Sequence, residues 1–327
     1  MPSLSVPGSL SGQMHTYELT ACPACGQGRY HGIELGEDAP LRRCDSCDLV
    51  FAPAYGDPEE IYVDGYLKGE TDFGLDIFNP LFQEYLDHVA HLRLALIERT
   101  QTPGRLLDVG CGSGEVLVAA RARGWEVAGA EPVEDSAKMA VEERGLDVRC
   151  ALLEESGLPE RSYDVVSAFH VLEHMTDGLS FLQSISRWAR PGGYVVIEVP
   201  NWRSVHRRSF GGAWPGLRKL EHVAHYSPAT LASAMERAGL EPVRVYTPGF
   251  IWPQQTFGQM LADLGAHRFE RWMLRARVFT RPGEQDGQPA VVPTKLGWWA
   301  LRTLQRAYVS TRRGMVVLGI ARVPADA

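Results

Sequence analysis

The run RLLDVGCGSGE at 105–115 constrains this chain more than any other segment. Its apolar start reads as a buried strand ending at Asp108, and Gly110, Gly112 and Gly114 then open a helix. Glycines at such a junction let a ligand lie directly against the backbone. The spacing is GxGxG after an Asp, whereas the dinucleotide fingerprint requires GxGxxG, and Glu115 occupies its last position. Glu131 stands at the end of the next strand, seventeen residues past Gly114, where a carboxylate can accept both hydroxyls of a ribose.

Short β-rich runs alternate with helical ones around this loop, the pattern of a parallel sheet with crossover helices. After LLDVG come the helix GEVLVAARARG, the strand WEVAGAE, the helix DSAKMAVEERG and the strand LDVRCALL. YDVVSAFH, a helix, and GGYVVIEVP follow. Ser227 and Pro228 start a further helix as N-cap and first residue. PVRVYTP and MVVLGIARV close the sheet as two last strands. Upstream, Leu81, Tyr85, Val89, Leu92 and Leu96 recur three or four apart, which makes 81–100 an amphipathic helix. Residues 250–313, between the two last strands, are too many for a passive loop and are expected to form a helical insertion. It is basic and aromatic: Phe250 to Gly314 holds ten Lys or Arg against four Asp or Glu, and four of the eight tryptophans.

Two CxxC pairs precede all of this. Eighteen residues separate Cys25 from Cys44, so Cys22, Cys25, Cys44 and Cys47 have the spacing of a two-knuckle zinc site. Four thiolates complete a zinc tetrahedron and leave no place for a reacting water, which makes the metal structural. About thirty residues with few large apolar side chains need that metal to fold. Two reduced or disulfide-linked pairs are the competing reading. Cys111 and Cys150 read as small buried residues. The net charge of −7 gives no general attraction to nucleic acid. The first residues carry neither a charged n-region nor an apolar h-region, and no run is long enough to span a bilayer, so a cytoplasmic protein is expected.

With its glycine loop and Glu131, the chain resembles the class I S-adenosylmethionine (SAM) dependent methyltransferases over about 106–240 and the final strand. The resemblance implies an α/β, Rossmann-like seven-stranded sheet. It carries a small N-terminal four-cysteine zinc ribbon and the helical C-terminal insertion. It also implies that Asp108, Gly110, Gly112, Gly114 and Glu131 bind SAM, that Leu152 and Leu153 flank its adenine, and that Phe169 and His170 face its sulfonium. The order CPxCG, CxxC, tyrosines, VLEH, PGG, EVPN and HxxHYS narrows the likeness. It resembles the zinc-ribbon methyltransferases of bacterial sugar, glycan and secondary-metabolite genes, related to ubiquinone-biosynthesis O-methyltransferases. In that group the tyrosines cover the cofactor, which points to Tyr62 and Tyr66. Asp48 departs from the pattern, standing where the group has Gly.

The expected units are a disordered leader at 1–16, the ribbon at 17–55, and a helical linker and lid at 56–100. The SAM-binding domain is expected at 101–249 and 314–323, with the insertion at 250–313. Methyl transfer to oxygen needs a base at the acceptor, and the candidates are His170, His174, Glu198 and His222. Glu173 and His174 have the alternative of hydrogen-bonding backbone at the strand-to-helix turn, His225 that of packing beside Ser227, and His222 that of a structural role. Arg203, Arg207 and Arg208 either bind phosphate or form a solvated face. The expected acceptor is a small molecule, sugar- or lipid-linked, methylated on oxygen or carbon. An RNA-base methyltransferase and a non-catalytic SAM-binding protein are the alternatives. The insertion either touches a membrane surface or packs on the domain or a second subunit.

Overall fold

The computed structural model describes residues 15–35, 40–62, 80–248, 279–280, 292–293 and 313–325. Tyr66 and nearly all of the 250–313 insertion lie outside the described residues. Only the short pair β13 (Phe279–Thr280) and β14 (Val292–Pro293) is seen there.

The N-terminal region is built of short antiparallel strands. β1 (Thr16–Glu18) pairs with β5 (Ala54–Gly56), so Thr16 belongs to the fold and not to the leader. β2 (Tyr30–Glu34), β3 (Pro40–Cys44) and β4 (Val50–Phe51) form one sheet, and its fourth strand is β11 (Ala224–His225), supplied from far along the chain. The sheet of the ribbon thus takes a strand from outside 17–55. Leu49 and Phe51, both fully buried, share a core with Leu107, Val166 and Ile197 of the main domain. The short helix α1 (Pro58–Ile61) follows, capped by the Asp57 side chain.

α2 (Pro80–Ile97) carries the expected amphipathic pattern, but its buried stripe is rotated from the one read in sequence. Val89, Ala90, Arg93, Leu94 and Ile97 are buried, while Leu92 and Leu96 are half-buried. An arginine thus lies on the inner face.

The main sheet has seven strands in the order β12-β15-β10-β9-β6-β7-β8. These are β6 (Arg105–Val109), β7 (Glu126–Ala130), β8 (Val148–Arg149), β9 (Tyr163–Phe169), β10 (Ala189–Pro200), β12 (Glu241–Tyr246) and β15 (Val316–Arg322). β8, β7, β6, β9 and β10 run parallel, and β15 runs antiparallel between β10 and β12. Chain order reverses between β6 and β9, and in an open α/β sheet the crevice at the carboxyl ends of such strands takes the ligand. The crossover helices are α3 (Glu115–Arg121), α4 (Glu134–Lys138), α5 (Gly178–Ser186), the short α6 (Val205–Phe210) and α7 (Pro228–Arg237). Two segments fall short of expectation. α4 gives way at Met139–Glu143 to a wider π-type turn. The third strand shrinks to two residues at the sheet edge, which leaves Cys150 exposed where it was expected to be buried.

Candidate active site

The glycine loop leaves β6 with Gly110, Gly112 and Gly114 at φ +66°, +55° and +86°. A Cβ on Gly110 would stand 2.7 Å from Val171 Cγ2, so both conformation and space demand glycine there. Around Gly112 there is open space among the described residues instead, none of which comes within 4 Å of where a Cβ would stand. Glu131, directly after β7, reaches back into this loop. Its Oε2 accepts from Gly112 N at 2.8 Å and its Oε1 from Val133 N at 2.8 Å. Burial raises the Glu131 carboxyl above its ordinary value, against the opposing pull of those two N–H groups. Each carboxylate oxygen keeps a second lone pair, so two ribose hydroxyls can still be accepted. An open glycine cradle beside a fixed carboxylate fits the ribose and methionine portion of SAM.

Asp108 is 2% exposed, accepts from Ser167 Oγ at 2.7 Å, and is pushed by burial up to about 7. Of the two leucines expected at the adenine, only Leu152 presents its side chain to solvent, at 56% exposure. Leu153 is buried and shares the main core. Phe169 is buried at the end of β9 with the Arg93 guanidinium 4.4 Å over its ring.

His170, in a left-handed backbone conformation at φ +58°, lies in a row of charges. Arg93 Nε donates to Glu198 Oε1 at 3.0 Å, His170 Nε2 is 3.3 Å from the same oxygen, and His170 Nδ1 is 3.0 Å from Glu173 Oε1. Despite the opposing cost of burial, these two carboxylates raise His170 to about 9, so it is an imidazolium at neutral pH. Burial opposes the Glu198 charge, but Arg93 and His170 outweigh it and hold this carboxyl below its ordinary value. Glu173 Oε2 and Glu198 Oε2 are buried without a hydrogen-bond partner among the described residues.

His174 and His222 behave oppositely. Their rings meet edge to face at 4.6 Å, and burial holds both below the ordinary histidine value, His222 far below. His222 Nδ1 is 3.0 Å from Gly216 O, a carbonyl that can only accept, so Nδ1 carries the proton and Nε2 the lone pair. Tyr62 Oη lies 2.9 Å from His174 Nδ1, which places this tyrosine at the site, while Glu221 O lies 3.1 Å from the same nitrogen. One donor atom each from Glu173, His174 and His222 lies within 4.8 Å of the others, a carboxylate and two imidazoles of the kind a divalent cation accepts.

The residues around this group are structural. His225 is stacked on Trp202, with 5.5 Å between ring centroids, and tilted against Trp214 at 6.1 Å. Arg207 covers Trp202 at 4.3 Å and donates to its carbonyl at 3.0 Å, which commits one of the three arginines to packing, while Arg203 and Arg208 are exposed.

The four ribbon cysteines also converge, with all four Sγ atoms within 4.8 Å of one another. Cys22 and Cys47 sulfurs are 3.5 Å apart, and those of Cys25 and Cys44 3.6 Å. A zinc tetrahedron with bonds of about 2.3 Å has sulfurs about 3.8 Å apart, so the donor set fits. The two knuckles match: Gly26 at φ +69° and Asp48 at φ +62° each follow the second cysteine of a pair, with N–H bonds to Cys22 O and Cys44 O. Asp48 thus occupies a conformation that favours glycine, one that Asp tolerates better than most residues, and its carboxylate pairs with Arg43 at 2.8 Å.

Residues 82–245 match the family described as "Methyltransferase domain". The chain belongs to this family. The ubiquinone biosynthesis O-methyltransferase of Bordetella bronchiseptica is 33% identical over 171 residues, covering 46% of this chain and 69% of that protein. Its counterpart in Bordetella avium is 32% identical over 191 residues, covering 53% and 74%. A solved SAM-dependent methyltransferase from Thermotoga maritima, titled a possible histamine N-methyltransferase, is 18% identical with a TM-score of 0.46, covering 76% of this chain and 99% of that one. The family match and the Bordetella relatives make the protein a SAM-dependent methyltransferase, and its own strand order is the Rossmann-like one. No helix among its described residues is long and apolar enough to cross a membrane.

Sequence reasoning missed Arg93. Its signal was present, since Arg93 continues the Val89 row at a spacing of four and Ile97 extends it. A charge on that row either breaks the apolar face or has a buried partner, and here the partner is Glu198.

Proposed function

We propose that this methyltransferase acts on a hydroxyl of a small molecule, with His222 as the base. The observation that carries this reading is the neutral His222 imidazole, its Nδ1 proton directed at Gly216 O, beside Glu173 and His174 near the carboxyl ends of β9 and β10. SAM supplies the methyl group on an already activated sulfonium. What the protein must add is alignment and shielding of the acceptor and a place for its proton. His222 Nε2 takes the hydroxyl proton as the oxygen attacks, and Tyr62 with His174 walls the same space. His170 and Glu198 were candidates for the base as well. We give them a different part: a paired imidazolium has no lone pair to offer, and Glu198 is bound to Arg93 and His170. Their net effect is electrostatic, setting the field at the sulfonium end of the pocket. The cofactor contacts follow the same reading, with Asp108, Gly110, Gly112, Gly114, Glu131 and Leu152 around SAM.

The relatives are named for an O-methylation, and that supports oxygen as the acceptor atom here. A sugar, glycolipid or secondary metabolite is the acceptor class we favour. The test is incubation of the protein with methyl-labelled SAM and fractionated cell extract. Label in an alkali-stable small-molecule ether, lost in His222→Ala while S-adenosylhomocysteine binding persists, is expected. Label in nucleic acid, or transfer undiminished in that variant, overturns the reading. Buried and partnerless, Glu173 Oε2 favours a second reading, in which a divalent cation at Glu173, His174 and His222 binds the acceptor oxygen. Transfer that stops in chelator and returns with added Mg²⁺, the ribbon metal staying in place, favours that one.

We also propose one structural zinc on Cys22, Cys25, Cys44 and Cys47. Metal analysis of protein purified without chelator is expected to find about one zinc per chain. Loss of zinc in Cys44→Ser checks the ligand set.

A further inference from the structure

The ribbon does more than lean on the catalytic domain: it completes a sheet with the segment that carries the candidate base. β4 pairs with β11 through Phe51 opposite Ala224 and Val50 opposite His225. Ala52 N donates to Val223 O at 2.9 Å, and Gly56 N to Leu220 O at 3.0 Å, so His222 is bracketed on both sides by bonds from the ribbon. From there the connection continues to the outlet of β9. Val223 N donates to Glu173 O at 2.8 Å, joining His222's neighbour directly to the turn that holds Glu173 and His174. A second connection starts inside the first cysteine knuckle, where Pro23 O, between Cys22 and Cys25, accepts from Leu179 N at 3.2 Å. Tyr226 closes the gap between the two connections. It is fully buried, and a Cβ on Gly178 would stand 2.8 Å from its hydroxyl and 3.4 Å from Pro23 O. The second knuckle is as close to β4, since Cys44 N donates to Leu49 O at 2.9 Å.

We propose that the four-cysteine site is a positioning device for the acceptor wall: metal held there fixes β4 and the first knuckle, and through β11 and Glu173 fixes His222. The inference rests on the zinc reading above. A segment of two-residue strands has little rigidity of its own, because few ladder bonds oppose its conformational entropy. His222 makes its own bonds to Arg218 O and Gly216 O, and the segment that carries it is fastened at Val223 and Leu220 by bonds from the ribbon residues Ala52 and Gly56. The cofactor side, at Gly112 and Glu131 just after β6 and β7, is held by the bonds of the Glu131 carboxylate to Gly112 N and Val133 N, with none from the ribbon among the described residues. Metal occupancy should therefore act on one side of the pocket and spare the other. Coupling of this kind is reciprocal: if metal orders β11, then order in β11 strengthens metal binding, and loosening β11 weakens it.

The experiment compares the full-length zinc-loaded protein with its Cys47→Ser variant by hydrogen exchange, with S-adenosylhomocysteine calorimetry on each. Amide exchange across 222–226 is expected to speed up at least tenfold in the variant, with less than threefold change in S-adenosylhomocysteine affinity. In the reverse direction, His225→Ala, which removes the ring packed on Trp202, is expected to weaken zinc at least tenfold in competition with a chromophoric chelator. Unchanged exchange at 222–226 after zinc loss overturns the proposal, as does zinc affinity indifferent to His225→Ala. If the Cys47→Ser protein loses S-adenosylhomocysteine binding as well, the effect is global unfolding and the confined coupling proposed here is wrong. A wild-type chain that neither contains nor takes up zinc sinks the zinc reading along with this one, which separates the two failures.

Discussion

Glu131 shows how one side chain serves both fold and ligand. Its two oxygens tie the glycine loop to the start of the next helix through Gly112 N and Val133 N, and the same carboxylate faces the open space beside Gly112. Replacing it with alanine is expected to weaken S-adenosylhomocysteine by roughly 10- to 100-fold, the range of one to two hydrogen bonds to a charged group. Calorimetry reads this directly, and an unchanged affinity would remove Glu131 from the cofactor site. Two histidines of this region differ in sign. His225 has no charged partner among the described residues, and burial pushes it down to about 3. The unfolded chain binds its proton near 6.5 and the folded one does not, so stability present above 6.5 is lost as pH falls toward 3. The slope is about 1.4 kcal/mol per pH unit for each such histidine. His225→Phe is expected to flatten the stability curve between pH 6 and 4 by about one proton, measured by denaturant titration at several pH values. His170, raised to about 9, contributes stability below 6.5 that is lost as pH rises through 9.

At the scale of the element, local chemistry and packing agree most closely at α7. Ser227 Oγ accepts from Thr230 N at 3.2 Å, Thr230 Oγ1 accepts from Ser227 N at 2.8 Å, and Pro228 supplies the first residue. The helix then lays Leu231 and Met235 over Gly319 of β15, where a Cβ would stand 3.0 Å from Met235 Sδ. Ser227→Ala is expected to cost about 1 kcal/mol and lower the thermal midpoint by a few degrees. A change within error in a thermal melt would mean that packing alone holds the helix end. α2 teaches the opposite lesson. Its period was legible, but the stripe is turned so that Arg93 meets Glu198 and the Phe169 ring while Leu92 and Leu96 stay half-buried. The third strand of the sheet was overread for a similar reason. Its β-rich composition continues to Leu153, but only Val148 and Arg149 find a partner in β7.

Across the whole molecule, ribbon and catalytic domain share one interior. Phe51 is fully buried beside residues of the main sheet, and β11 makes the ribbon sheet four-stranded. Phe51→Ala is therefore expected to cost about 3–5 kcal/mol of the stability of the entire described fold, not of the ribbon alone. Calorimetric unfolding is expected to show one transition, moved as a unit by this change. Two transitions, of which only the first moves, would return the ribbon to the status of a separate module.

Period and spacing alone placed the strands β6, β7, β9, β10, β12 and β15, the glycine loop with Glu131, the Ser227 cap and the cysteine quartet. Each is a local signal: a strand, a turn or a knuckle is specified by residues close to one another in the chain. The pairing of charges and the sharing of edges belonged to the tertiary structure. Glu173 is local to His170, three residues on, but nothing near FHVLEH in the chain shows that Glu198 of β10 will close on the other side of the ring so that it holds a proton, or that His222 will be stripped of one. A histidine's charge depends on which carboxylates and how little water surround it, and only part of that set is close in the chain. For the same reason the cysteines announced a metal site but not its connection to the acceptor wall, which exists because Phe51 meets Ala224 from the far end of the catalytic domain's sequence.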